Sequence, residues 1–249
     1  MTRRHSFFTL ALSLLCIVIP AQGFAAQDRA EVEASVRADV AKDLEAPWQA
    51  ESLAGRSCLD GRPAADFPGD IAEYWVNLEC PWCGIVEPVL AQRRNPDVCI
   101  VVRHVPSREY GESMKKSLSY EALKKFSVNG ANVFWDKVLP KQPNELPMPY
   151  EASLLLAFQE AVIDAEAFGE ALGNEAASIV NQDILAAQGR ISITPTWTLA
   201  GIRFKACDFT AAQFPLALDL AKKARDGDTE ALERIIALMT NALLDEPLL

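Results

Sequence analysis

The sequence predicts an α/β fold in which a long helical insertion divides one sheet into two halves, and three observations carry that prediction. The aromatic and β-branched run Ile71-Ala72-Glu73-Tyr74-Trp75-Val76 reads as a strand. It leads into Cys80-Pro81-Trp82-Cys83 and then into the helix-compatible Gly84-Ile85-Val86-Glu87-Pro88-Val89-Leu90. Far downstream, Ile193-Thr194-Pro195-Thr196-Trp197-Thr198-Leu199 and Ile202-Arg203-Phe204 read as a hairpin that turns at Gly201. Between these, from Pro106 to Arg190, the chain is helical in pattern for most of its length. With 249 residues and 50% apolar content, the chain is long enough to bury one core with an inserted subdomain.

Taken in order, the elements begin with a targeting segment. Arg3 and Arg4 precede an apolar run over residues 7–19, and Pro20-Ala21-Gln22-Gly23-Phe24-Ala25 places small residues where cleavage after Ala25 needs them. Residues 1–25 therefore read as a secretory signal peptide that removes Cys16, and no later stretch has the length to span a bilayer. Residues 26–64 form an N-terminal helical segment and linker. Val32, Val36, Val40 and Leu44 make one apolar stripe on a helix over residues 27–45, ended by Ala46-Pro47. That stripe requires a partner, either its own domain or a second copy of the chain, which makes a homo-oligomer through this helix one of two readings.

Residues 65–106 hold the first half of the sheet. Asp60-Gly61-Arg62-Pro63 and Phe67-Pro68-Gly69-Asp70 are turn chemistry ahead of the first central strand, and Val98-Cys99-Ile100-Val101-Val102 is the next strand. The insertion, residues 107–190, divides into helices over 119–128, 131–138, 150–163, 165–173 and 175–187. The proline-rich stretch 140–149 interrupts them, and Gly189 is placed to end the last. Residues 191–249 complete the sheet and add a closing helix over 210–225 and a further helix over 229–243.

Composition limits function. The formal net charge of -10 favours solubility and leaves no basic stripe for phosphates, so a nucleic-acid partner is excluded. Lys115-Lys116 and Lys124-Lys125 read as solvated helix faces.

The chemistry lies in Cys80 and Cys83. Two cysteines separated by two residues cycle between dithiol and disulfide without rebuilding their surroundings. A strand-to-helix junction adds unpaired backbone N–H groups that favour a thiolate. Cys80 is then the exposed nucleophile and Cys83, about a turn further on, the buried resolving thiol. Pro81 and Trp82 tune the pair by removing one backbone donor and adding a hydrophobic neighbour, while Glu79 opposes thiolate formation by like charge. Half of a four-cysteine zinc site is the competing reading, and it needs a second close pair that the sequence does not contain. No metal or other cofactor is expected. His104 and Glu73 read as structural strand residues, with proton transfer as their alternative role.

Together with the Cys-x-x-Cys pair, the Thr194-Pro195-Thr196 segment resembles the thioredoxin superfamily, in particular the bacterial periplasmic DsbA-like branch that includes DsbG-like and ScsC-like proteins. Arg103-His104-Val105-Pro106 is similar to that family's strand-ending Arg-His-Phe-Pro, and the resemblance spans roughly residues 65 to 222. It implies a thioredoxin fold whose helical insertion caps the active-site cysteines. It also implies a cis Pro195 facing Cys80 and Cys83, with Thr194 offering its backbone to an extended substrate segment. The implied activity is thiol–disulfide oxidoreduction on exported, cysteine-containing proteins in the periplasm, with a redox partner that the sequence does not name. A chaperone-like holder or a soft-metal binder without turnover is the alternative.

The remaining cysteines are read against the same resemblance. In a thioredoxin sheet the segment Ser57-Cys58-Leu59 lies beside the strand holding Cys99, which permits a Cys58–Cys99 bridge. Cys99 as a small buried core residue is the plainer reading, and Cys207 is either the odd thiol or the partner of Cys58.

Overall fold

Strand-forming residues in four short runs make one mixed sheet: β1 (Asp70–Val76), β2 (Val98–His104), β3 (Thr196–Leu199) and β4 (Ile202–Lys205), ordered β2-β1-β3-β4. The structure is a computed structural model, and it describes residues 28–46, 53–90, 96–107, 111–140, 146–205 and 208–244. β1 runs parallel to β2 and antiparallel to β3, in the register Val76 opposite His104 and Trp75 opposite Thr196. β2 is buried along its whole length. Its first five residues, Val98 to Val102, therefore read as a continuous apolar run and not as an alternating one, and the buried Arg103 and His104 end it.

Both faces of the sheet are covered. The larger core takes Ala72, Tyr74 and Val76 from β1 with Ile100 and Val102 from β2, packed against the helices. By strand alternation the other face takes Cys99 and Val101, which cluster with Leu53, Cys58 and Ala64. Cys58 and Cys99 form a disulfide there, with Cα atoms 5.1 Å apart. The edge segment is shorter than a strand: Cys58 makes one isolated antiparallel bridge to Val101, and Ser57 one to Pro63. Cys16, Cys207 and the signal peptide lie outside the described residues.

The insertion comprises α3 (Ser113–Phe126), α4 (Val128–Val138), α5 (Tyr150–Ala161), α6 (Ala165–Ala171) and α7 (Ala177–Ala187), after α1 (Arg29–Glu45) and the short α2 (Glu87–Leu90). α3 begins six residues before its expected start and stops at Phe126, because Ser127 caps the next helix by accepting from the Gly130 amide at 3.0 Å. The expected break near residue 174 is instead a π turn, Leu172–Ala176, that joins α6 to α7 without a chain reversal. The closing helix α8 (Phe214–Arg225) starts four residues later than expected, with a proline in its first turn, and α9 (Thr229–Leu243) follows.

A buried charge network fastens the insertion to the sheet. Arg56 holds Asp183 of α7 through two hydrogen bonds of 3.0 and 2.7 Å. Asp183 also lies 3.1 Å from the Arg103 guanidinium and accepts from the His104 amide at 2.9 Å. Arg103 reaches Glu73 at 3.2 Å and covers the Trp75 ring. Burial raises the Glu73 carboxyl above its ordinary value, with Arg103 working against the rise.

The stripe on α1 packs within its own chain. Val32, Val36 and Val40 are buried, and the helix lies against α9 and β4. Arg37 bridges to Glu233 at 2.5 Å and Asp43 to Arg203 at 2.6 Å. Arg225 donates to the carbonyls of Asp43, Leu44 and Ala46 at the helix end. Within the chain the stripe meets α9, whose Ile235, Ile236 and Met239 are buried on an apolar face.

Candidate active site

The site is built where β1 ends. Asn77 opens a turn: its side-chain oxygen accepts from the Glu79 amide at 3.0 Å and its carbonyl from the Cys80 amide at 2.9 Å. The Cys80 carbonyl then accepts from the Cys83 amide at 3.1 Å, and the chain enters a 3₁₀ turn, Cys83–Val86, before α2. The expected regular α-helix thus opens as 3₁₀. Its first amides remain directed at Cys80, which receives hydrogen bonds from the backbone of Trp82 and Cys83.

The two sulfurs differ. Cys83 is fully buried and Cys80 is 6% exposed, so the residue expected to be the exposed nucleophile is far less open than that expectation, although it is the more accessible of the pair. Trp82, 37% exposed, supplies an apolar surface beside it. A hydrogen bond from the Cys83 thiol, together with the Thr194 side chain and the two amides, pulls the Cys80 thiol down to about 6 against the opposing effect of burial. Burial pushes the Cys83 thiol well above the ordinary range, and the nearby Cys80 adds to the rise.

Across the pair lies the start of β3. The Cys80 thiol donates to the Thr194 carbonyl at 3.3 Å, and the Thr194–Pro195 peptide bond is cis. Thr196 fixes this loop by donating its hydroxyl to the Ile193 carbonyl at 2.9 Å, and Trp75 donates to Thr198 at 2.8 Å one pair further on. Cys80, Cys83, Thr194 and Pro195 are thus brought together, with Pro81 and Trp82 at the rim. Glu73 and His104 are not part of the group. Glu73 belongs to the sheet face opposite Tyr74, and His104 bonds Glu121 at 2.9 Å. Burial alone would raise the Glu121 carboxyl, but Lys124 and His104 hold it down at about 2.

Several contributors were missed by sequence reasoning. Tyr74, fully buried, donates its hydroxyl to the Cys83 carbonyl at 2.7 Å and supports the turn from below. Lys116, expected on a solvated face, is buried and bonds Glu79 at 3.1 Å, so the like charge expected to oppose the Cys80 thiolate is countered. Asn77, a turn former directly after a strand, was the one signal available for this support. Among the described residues no group of three or more His, Cys, Asp or Glu side chains could hold a metal ion.

Fold and site together define a class: a thioredoxin-like α/β protein with a helical insertion, carrying a Cys-x-x-Cys dithiol opposite a cis-prolyl loop. No protein-family model matches the chain, and no curated protein matches it in sequence. Solved structures do match. The thiol-disulfide exchange protein alpha-DsbA2 from Wolbachia pipientis is 13% identical with a TM-score of 0.55, over 78% of this chain and 98% of that one. A thioredoxin-like oxidoreductase from Silicibacter pomeroyi is 19% identical with a TM-score of 0.53, over 71% of this chain and 99% of that one. ScsC from Proteus mirabilis in a transitional conformation is 14% identical with a TM-score of 0.50, over 77% of this chain and 88% of that one. These likenesses establish the thioredoxin-like fold.

Proposed function

We propose that the chain is a DsbA-like thiol–disulfide oxidoreductase that acts on exported, cysteine-containing proteins in the periplasm. One observation carries the reading: the two sulfurs are unequally placed, Cys80 the more accessible of the pair and bonded to the Thr194 carbonyl of the cis-prolyl loop, Cys83 fully buried, an environment that lowers the Cys80 thiol and raises that of Cys83. The N-terminal segment of residues 1–25 supports the location.

In the reductive direction the Cys80 thiolate attacks one sulfur of a substrate disulfide. A mixed disulfide forms and one substrate thiolate leaves. Cys83 then gives up its proton, attacks the Cys80 sulfur and closes the Cys80–Cys83 disulfide, which releases the second substrate sulfur and passes two electrons to the substrate. Oxidation of a substrate dithiol is the same path reversed, starting from the Cys80–Cys83 disulfide. Pro195 has no N–H and the Thr194 backbone lies at the sulfur, an arrangement suited to an extended substrate segment laid beside Cys80. Pro81 and Trp82 tune the couple.

Two measurements test this. The equilibrium of the Cys80/Cys83 couple with glutathione assigns the direction of electron flow. A Cys83→Ala variant expressed with its exported proteins accumulates mixed disulfides through Cys80, whereas Cys80→Ala abolishes them. Equal trapping by the two variants overturns the assignment of nucleophile and resolver. A holder without turnover leaves the resolving Cys83 without a task.

A further inference from the structure

The active-site turn is tied to the helical insertion through one small polar cluster. Glu79 accepts from the Lys116 ammonium at 3.1 Å and from the Glu112 amide at 3.1 Å. The Asn77 side chain accepts from the Glu79 amide at 3.0 Å and from the Ser113 hydroxyl at 2.6 Å, and the Ser107 amide donates to Ser113 at 3.2 Å. The Lys116 side chain is 5% exposed and that of Glu79 17%. An ammonium so far from water needs a partner, and Glu79 is the carboxylate that meets it most closely.

We propose that Lys116 is a positioning residue of the redox centre, balancing the Glu79 carboxylate beside Cys80 so that the thiolate forms without a like charge next to it. The inference rests on the exchange reading above and adds a residue from α3 to it. An uncompensated carboxylate one residue from the nucleophile disfavours the thiolate, and its ion pair with Lys116 removes the net charge. Three other charged groups lie at this end. Glu112 reaches Lys116 at 3.9 Å, and Lys115 is engaged by Glu151 at 3.0 Å and Glu112 at 3.8 Å. The opposing loop contributes Thr194, which carries no charge.

The two members of a charge-balancing pair move the thiolate in opposite directions, whereas the two members of a merely mechanical latch do not. The experiment uses the reduced mature protein. Thiolate absorbance is titrated against pH, and exchange with glutathione is followed in parallel. Lys116→Met raises the apparent Cys80 pKa by about half a unit or more, roughly a threefold fall in the acid dissociation constant. Glu79→Gln, which keeps an acceptor for the Glu112 amide, lowers it. The double variant returns to within about twofold of the wild-type constant, and Lys116→Arg retains the wild-type curve.

Shifts of the same sign from both single variants, or a double variant displaced further than either, overturn the proposal. If Lys116→Met fails to fold, Glu79→Gln decides alone: a downward shift supports the proposal and an upward or absent shift overturns it. A wild-type pair that does not exchange with glutathione overturns both readings. One that exchanges while no variant moves overturns only this inference.

Discussion

Cys80 donates its thiol hydrogen to the carbonyl of Thr194 across 3.3 Å, joining two residues 114 positions apart in the chain. Burial favours the thiol, while the Cys83 thiol, the Thr194 side chain and the backbone of Trp82 and Cys83 favour the thiolate and outweigh it. The Cys80 thiol is therefore held below the ordinary thiol range.

Alkylation of the reduced protein by iodoacetamide is expected to rise with pH through an inflection near 6 at Cys80, while Cys83 stays unmodified past the ordinary thiol range. A thiol whose folded value lies below its unfolded value stabilises the reduced fold at high pH, and that contribution fades as pH falls through 6. The melting temperature of the reduced protein relative to that of the oxidised protein should rise between pH 6 and 8, above which the raised Cys83 thiol works against the trend. An alkylation inflection above 8 removes the argument.

The Cys58–Cys99 disulfide closes a separation of 41 residues on the sheet face away from the active site. Chain entropy assigns such a loop about 4 kcal/mol, within a usual range of roughly 2–5 kcal/mol. The double variant Cys58→Ala, Cys99→Ala should lose stability of that order in urea unfolding, yet keep the wild-type glutathione equilibrium at Cys80 and Cys83. A displaced equilibrium would mean that the two disulfides are coupled through β1 and β2.

How much of this was legible depends on the range over which each signal acts. Cys80-Pro81-Trp82-Cys83, the hairpin at Gly201 and the stripe on α1 are local patterns, and each was readable within a dozen residues. Lys116 was not, because its partner Glu79 lies 37 positions away and a Lys-Lys pair on a helix looks the same whether it faces water or a carboxylate. The bond between Arg56 and Asp183, 127 positions apart, was hidden for the same reason. The stripe on α1 specified a partner surface but not its owner, since α9 and a second chain would present the same chemistry. The early end of α3 was readable in principle from Ser127, whose capping oxygen competes with a continued helix.

Because α1 is consumed inside the fold, trimming its stripe should act on stability and not on assembly. Val40 is fully buried, and Val40→Ala is expected to cost about 2 kcal/mol in denaturant unfolding. Arg37, exposed on the same helix and paired with Glu233, should be replaceable by Ala with little change. Sedimentation of both variants should match the wild-type protein. A change of oligomeric state on Val40→Ala would return the helix to the role of a self-association stalk.

Asp208 gives the fold a pH dependence separate from the redox centre. It is 2% exposed in the turn after β4, where its carboxylate accepts from the Lys205 amide at 2.6 Å. Burial pushes its carboxyl up to about 7, with the Lys205 amide and ammonium only partly offsetting the rise. For an acid whose folded value exceeds its unfolded value, the unfolded chain releases its proton first as pH increases. Stability should therefore fall between about pH 4 and 7 and level off above, by a total on the order of a few kcal/mol. Asp208→Asn keeps an acceptor for Lys205 and cannot ionise, so urea unfolding of this variant should lose that slope and exceed the wild-type stability at pH 8. A variant with the wild-type slope, or one weaker than wild type at pH 8, would show that the carboxylate is well tolerated in the turn and that the dependence arises elsewhere.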